Sequence, residues 1–162
     1  MIKEEKPVNI LLVDDKPSNL LALEAVLESL GLNLMKAHSG QEALQKISEE
    51  DYAVVLMDVR MPEMDGFETA TTIYRRDPNC KTPIIFLTAA HENEADKTRA
   101  YAVGALDYLL KPFVPSVLRT KVSILTDLYR KNAGLLQLVK KLDLRIGELV
   151  EENLILKNEL NP

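Results

Sequence analysis

Short apolar runs alternate with segments of helical periodicity along the first two thirds of the chain. Apolar runs at residues 8–13, 32–37, 53–57, 83–87 and 105–110 predict five β-strands. Apolar residues at helical spacing predict helices over residues 17–30, 39–50, 66–76 and 92–103, and another from residue 115 onward. Gly31 and Gly104 mark the ends of two of these helices, and Ser39 with Glu42 has the spacing of a capping box. The pattern therefore predicts five β-α units.

Four of the five predicted strands are almost entirely apolar, which is typical of a parallel sheet covered by helices on both faces. In open sheets of this kind, functional groups gather in the crevice beyond the carboxyl ends of the strands. Asp14 and Asp15 follow the first strand, Asp58 the third and Thr88 the fourth, while Lys111 follows the fifth. We therefore expect these side chains to share one edge of the sheet.

Three carboxylates in one crevice repel one another, so the cluster calls for a compensating cation. Carboxylate, carbonyl and water oxygens are the ligands of a hard divalent ion, Mg²⁺ above all, and such sites serve phosphate chemistry. Lys111 could contact a phosphoryl oxygen, and Thr88 could donate a hydrogen bond to the same group. An aspartate between a metal and a lysine is well placed to attack phosphorus and form an aspartyl phosphate. Taken singly, Asp15 could instead be a helix cap and Lys111-Pro112 an ordinary loop.

Four segments resemble the receiver domain of two-component response regulators. They are "LLVDDKPSN", "VVLMDVRMPEMDGFE", "PIIFLTA" and "ALDYLLKPF", and the resemblance covers roughly residues 7–125. It implies an α/β fold of flavodoxin type, a (βα)5 doubly wound parallel sheet with strand order 2-1-3-4-5. It also implies a histidine kinase or a phosphotransfer protein as the phosphoryl donor.

The resemblance assigns a role to each residue of the acidic crevice. Asp58 becomes the phosphoacceptor and a metal ligand. Asp15 becomes a direct Mg²⁺ ligand, Asp14 acts mostly through water, and the backbone carbonyl of Arg60 is the third protein ligand. Lys111 would pair with the phosphoryl group.

The same resemblance implies a switch pair and one unusual peptide bond. Thr88 would move toward the phosphoryl group, and the ring of Tyr108 would turn inward into the space that the threonine leaves. Tyr108 could also simply pack against the sheet edge. Lys111-Pro112 would be a cis peptide bond, which an X-Pro sequence permits at small cost.

Beyond the receiver, the last helical pattern continues without proline from Leu118 to Leu160. It shows a heptad repeat, with Asn132 and Asn153 at two of the a positions. The d positions hold five leucines at an unbroken spacing of seven, Leu128, Leu135, Leu142, Leu149 and Leu156. This repeat predicts a parallel homodimeric coiled coil over residues 123–162, after a receiver over residues 1–122. The alternative is a hairpin that folds back on the receiver with a break near Gly134.

Composition narrows the possible functions. The formal net charge is −5 without a basic block, so nucleic acid is not expected as a partner. A single cysteine, Cys80, excludes a disulfide framework within one chain, and no apolar run is long enough for a membrane span. We expect a cytoplasmic signalling switch that is not an enzyme beyond its self-catalysed phosphorylation and dephosphorylation. The alternatives are a Mg²⁺-dependent phosphohydrolase and a structural dimeriser with a silent receiver, and nothing selects an output module.

Overall fold

The computed structural model describes residues 7–89 and 94–161, which form five parallel strands and five α-helices. The order along the sheet is β2-β1-β3-β4-β5, as the resemblance implied. The elements are β1 (Asn9–Val13), α1 (Pro17–Leu27), β2 (Asn33–Ala37), α2 (Gly40–Glu49), β3 (Val54–Asp58), α3 (Gly66–Arg76), β4 (Ile84–Ala89), α4 (Glu94–Ala102), β5 (Asp107–Lys111) and α5 (Pro115–Leu160).

The hydrophobic core lies around the three central strands. Almost every residue of β1, β3 and β4 is buried, because helices cover both faces of the sheet there. The edge strands β2 and β5 are only partly buried, since each has a neighbouring strand on one side alone. The ring of Phe67 from α3 meets that of Phe86 from β4 edge to face at 5.0 Å, which joins α3 to the centre of the sheet.

Most strand boundaries differ from the sequence prediction by one or two residues, so that Asp58 is the last residue of β3 and Thr88 lies within β4. Three further differences concern α1, β5 and α4. The first helix is α-helical only to Leu27 and ends in a 3₁₀ turn at Glu28–Leu30, before Gly31 with φ of 64°. Strand β5 begins two residues later and ends one residue later than predicted, so Lys111 is its last residue and does not follow it. The predicted start of the fourth helix, Glu92, lies outside the described residues, and α4 is described from Glu94.

Helix α3 begins directly after the loop that follows β3, and its first turn fixes that loop. Asp65 accepts a hydrogen bond from the backbone N–H of Glu68 at 2.8 Å, and the Glu68 carboxylate accepts one from the N–H of Asp65 at 3.3 Å. This capping box satisfies two backbone donors that the first helical turn leaves unpaired.

The last helix, α5, runs without interruption for 46 residues. The predicted long helix is therefore confirmed, and the hairpin with a break near Gly134 is wrong, because the backbone stays helical through that glycine. The chain divides into two compact units between Thr126 and Asp127. Among the described residues, no helix is both long and apolar enough to span a membrane.

Candidate functional site

Three carboxylates meet at the carboxyl ends of β1 and β3, the two strands between which the strand order reverses. Asp14 and Asp15 follow β1 directly, and Asp58 is the last residue of β3. One oxygen of each carboxylate lies within 4.8 Å of the others. The sequence pattern thus predicted a cluster that the fold brings together, at the position where open α/β sheets bind ligands.

The carboxylate of Asp14 is buried and surrounded by donors. Its Oδ1 accepts hydrogen bonds from the backbone N–H of Lys16 at 2.9 Å and from the Asn19 amide at 3.2 Å. Its Oδ2 accepts from the same amide at 2.9 Å and from the Lys111 ammonium at 3.3 Å. With both oxygens engaged by protein donors, Asp14 is better suited to hold a water ligand than to bind a metal directly.

The carboxylate of Asp15, unlike that of Asp14, has an oxygen that accepts no hydrogen bond from the described residues. Its Oδ1 is buried and has no hydrogen-bond partner within the described part of the chain. A buried carboxylate oxygen without a donor is costly, and a divalent cation is the kind of ligand that satisfies it. The contrast between the two neighbouring acids fits a direct metal contact by Asp15 and an indirect one by Asp14.

Lys111, at the end of β5, supplies the positive charge next to this cluster. Its Nζ lies 3.3 Å from Asp14 Oδ2 and 3.3 Å from Asp58 Oδ1. Burial raises the pKa of the Asp58 carboxyl above its usual value; Lys111 opposes this shift, whereas the charges of Asp14 and Asp15 add to it. One ammonium therefore does not neutralise the anion cluster, and a divalent cation would complete the neutralisation.

Thr88 and Tyr108 lie on the neighbouring strands β4 and β5. Thr88 is fully buried, and its hydroxyl has no hydrogen-bond partner in the described residues. Tyr108 is 8 % exposed and belongs to the buried core cluster. The unpaired hydroxyl of Thr88 is a donor on the strand next to Asp58.

The loop between β3 and α3 borders the site. A Cβ atom on Gly66 would lie 2.4 Å from the carbonyl oxygen of Asp58, so this position requires glycine for the close approach. Arg60 is exposed, and it lines a cavity of about 560 Å³ together with Asp15 and Arg99. The Arg99 guanidinium stacks over the Phe67 ring at 4.6 Å, which fixes one wall of this cavity.

The sequence analysis did not single out Asn19 or the contact made by Gly66. Asn19 lies five residues after Asp14, in the first turn of α1, and its amide donates to both oxygens of that carboxylate. The feature of the sequence that could have indicated Asn19 is its position in the first helical turn after the two adjacent acids. The Lys111-Pro112 peptide bond is cis, as the resemblance implied.

Comparison with protein-family models assigns most of the chain to one known domain. The model of the response regulator receiver domain matches residues 10–123. The transcriptional regulatory protein SrrA of Staphylococcus aureus is 40 % identical over 114 residues, which are 69 % of this chain and 46 % of SrrA. The chain thus spans about half the length of this curated relative.

Solved structures share the fold over the same region. The chemotaxis protein CheY4 of Vibrio cholerae superimposes with a TM-score of 0.67 at 31 % identity, covering 74 % of this chain and 99 % of CheY4. The receiver domain of the Francisella response regulator 1452 gives a TM-score of 0.66 at 32 % identity, covering 74 % of this chain and 96 % of that one.

Proposed function

Since the chain belongs to the response regulator receiver family, we propose that Asp58 accepts a phosphoryl group from a histidine kinase or a phosphotransfer protein. An Asp58 carboxylate oxygen attacks phosphorus and forms the P–O bond while the P–N bond of the donor phosphohistidine breaks, and the imidazole leaves with the electron pair. The product is an aspartyl phosphate. Such a donor and Mg²⁺ are both available in the cytoplasm, which is the location that we propose.

The observation that carries this proposal is the position of Lys111 between two acids. Its ammonium lies 3.3 Å from both Asp14 and Asp58, so it already contacts the nucleophile before any phosphoryl group arrives. A phosphoryl oxygen on Asp58 would take over this contact. The ammonium would then stabilise charge that develops on the transferred group, as preorganised cations do in phosphoryl transfer.

Asp15, Asp58 and the backbone carbonyl of Arg60 are the residues that we propose to hold Mg²⁺, with Asp14 acting through water. The unpaired Oδ1 of Asp15 and the close approach of the three carboxylates support this ligand set. When bound, the cation would offset the repulsion between the incoming phosphoryl group and the acids.

Thr88 and Tyr108 are proposed as the switch pair. The Thr88 hydroxyl lacks a partner on the strand next to Asp58, so an acceptor oxygen on that aspartate gives it a reason to move. Tyr108 packs in the core cluster near the sheet, where the space released by the threonine would be filled by its ring. The protein is thus proposed as a switch whose only catalysis is on itself.

The tail is proposed to transmit this change as a parallel homodimeric coiled coil. All five leucines at the d positions remain between 42 % and 59 % exposed in the single chain, namely Leu128, Leu135, Leu142, Leu149 and Leu156. A row of half-exposed leucines on one helix is stabilised when a second helix covers it. Asn132 and Asn153 at a positions would fix the register of the two helices.

Phosphorylation is tested by intact-mass measurement after incubation with acetyl phosphate and Mg²⁺. We expect one added phosphoryl group on the wild-type chain, none on Asp58→Asn and none with a chelator present. Asp65→Asn is the matched control, because it removes a nearby carboxylate outside the cluster and should still be labelled. Labelling of Asp58→Asn would contradict the proposal, and no labelling of the wild type would favour a silent dimeriser.

Two further measurements separate the alternatives. Release of phosphate from small phosphate esters beyond one equivalent would favour the phosphohydrolase, which the arginine at position 60 argues against because such enzymes commonly place a second aspartate there. Light scattering of Leu142→Asp tests the coiled coil. Gln137→Asp is the control, because it adds the same charge at an f position. At low protein concentration, we expect a monomer for the first variant and a dimer, as for the wild type, for the second.

A further inference from the structure

The tail carries a second row of side chains beside the leucine repeat. In the same heptad assignment these residues occupy the b and e positions, so each follows an a or d residue by one place and lies about 100° further around the helix. We call this row the b/e seam. Its members alternate at spacings of three and four residues: Ala133, Leu136, Lys140, Asp143, Gly147, Val150 and Leu154.

The apolar members of the b/e seam are exposed. Leu136 is 64 % exposed, Val150 54 % and Leu154 57 %. A helix with apolar residues at a and d alone is typical of a two-stranded coiled coil, whereas a third apolar position is typical of a helix with two neighbours. A parallel dimer formed on the leucines would cover the e positions only in part and would leave the b positions facing solvent, so a second contact is needed to bury this row.

The b/e seam is complementary to itself in one orientation. In an antiparallel register centred between residues 141 and 142, Lys140 of one copy faces Asp143 of the other, and the reverse pair forms by symmetry. Leu136 then faces Gly147. A Cβ atom on Gly147 would meet nothing within 4 Å, so the leucine finds open space there.

A parallel arrangement in register lacks this complementarity. It places Lys140 against Lys140 and Asp143 against Asp143, which is repulsive, and it leaves two glycines opposite each other at position 147. In the antiparallel register Ala133 meets Val150, so a small residue again faces a larger one. Charge and side-chain volume therefore select the same orientation.

The two charges at the centre are available for such a contact. Lys140 and Asp143 are both exposed, and within the part of the chain that the structure describes neither takes part in an ion pair. Arg145, by contrast, is paired with Glu148 at 2.9 Å and contacts Glu152 at 3.8 Å. Within the described residues of the single chain, these two charges thus have no ion-pair partner.

We propose that a second copy of this chain binds the b/e seam in antiparallel orientation, so that coiled-coil dimers associate side by side. The leucine face joins two parallel helices, and the b/e seam joins helices of neighbouring dimers. This second contact involves only the tail and does not depend on phosphoryl transfer at Asp58.

Charge exchange tests the contact on the full chain by sedimentation velocity over a range of concentrations. Lys140→Asp and Asp143→Lys each create like-charge pairs, so each should raise the concentration at which dimers associate by about tenfold or more. The double variant Lys140→Asp, Asp143→Lys restores opposite charges and should recover wild-type association. Lys141→Asp makes the same charge change at a c position and should leave association unchanged.

Cysteine cross-linking tests the orientation in a Cys80→Ser background. Leu136→Cys mixed with Gly147→Cys should form the heterotypic disulfide, because the antiparallel register places these positions opposite each other. Leu136→Cys alone should not cross-link with itself. A single dimer mass at every concentration, equal association of all charge variants, or homotypic cross-linking at position 136 would each overturn the proposal. Leu142→Asp separates this contact from the leucine dimer, since it should remove the parallel pair and leave an antiparallel one that forms only at the higher concentrations at which wild-type dimers associate.

Discussion

Replacing Asp58 by asparagine is expected to stabilise the protein in the absence of metal ions. The change keeps the size of the side chain and removes one negative charge from a cluster whose oxygens lie within 4.8 Å of one another. The Asp58 side chain is only 13 % exposed, so solvent screens this charge incompletely. The relief of repulsion should therefore appear directly in the free energy of unfolding.

The magnitude follows from the distances in the site. At an effective dielectric constant of about 20, two like charges 4.8 Å apart repel by about 3.5 kcal/mol. The contact of Asp58 with Lys111 at 3.3 Å is worth about 5 kcal/mol on the same scale. The variant loses this one attraction and both repulsions, with Asp14 and with Asp15, so the net gain is about 2 kcal/mol.

Thermal unfolding with a chelator present measures this effect. For a chain of this size, about 2 kcal/mol corresponds to a rise of about 6 °C in Tm. Asp51→Asn is the matched control, because it removes the same charge at an exposed position and should change Tm by less than about 1 °C. Adding Mg²⁺ should then raise the Tm of the wild type more than that of Asp58→Asn.

The pH dependence supplies a second check on the same reasoning. The pKa of Asp58 is raised in the folded protein above its value in the unfolded chain. Protonation of Asp58 therefore stabilises the fold fully at pH values below the usual carboxyl pKa, and this stabilisation is lost as pH rises through the raised pKa of the folded state. The stability advantage of Asp58→Asn should therefore be absent in acid and should grow over that window. An equal or lower Tm for the variant at neutral pH without metal ions would refute the reasoning.

Three further predictions concern neighbouring residues. Asn19→Ala removes two hydrogen bonds to Asp14 and should weaken Mg²⁺ binding by about tenfold in calorimetry. Asn33→Ala, at the opposite end of the sheet, is the control and should leave the affinity unchanged. Equal Mg²⁺ affinities of the two variants would contradict the role of Asn19. Gly66→Ala should lower the free energy of unfolding by about 3 kcal/mol in chemical denaturation, because the new Cβ would meet the Asp58 carbonyl. Gly134→Ala is the control and should be neutral or stabilising. An equal effect of both substitutions would contradict the requirement for glycine at position 66. Mg²⁺ affinity should fall as pH decreases through the raised pKa of Asp58, and a flat profile would contradict that assignment.

The fold was predictable because short apolar runs alternate with segments of helical periodicity along the chain. The buried strands β1, β3 and β4 are apolar on both faces, and this pattern follows from their central position in a covered parallel sheet. Strand β5 was less well predicted: it is an edge strand with Leu110 half exposed, so its apolar run does not mark its ends. The 3₁₀ turn at Glu28–Leu30 was missed because 3₁₀ and α-helical spacing differ little over three residues.

The residues of the site that lie at strand ends could be predicted from the sequence. The contacts that depend on the direction of a side chain or on the path of a loop could not. Asp14, Asp15 and Asp58 could be grouped because parallel strands bring their carboxyl ends together. The saturation of Asp14 by donors, however, depends on the rotamer of Asn19 and on the turn at Lys16, which no spacing reveals. The contact of Gly66 with the Asp58 carbonyl likewise depends on the path of a loop.

The buried Thr88 hydroxyl has a thermodynamic consequence for the resting protein. With no acceptor among the described residues, it raises the free energy of the unmodified state by about 1–3 kcal/mol. An oxygen acceptor on Asp58 that this hydroxyl could reach would remove the penalty, so part of the driving force for the proposed movement of Thr88 would already be present before phosphorylation. At about 1.4 kcal/mol per factor of ten, this contribution alone would favour the rearranged form by about fivefold to about 140-fold.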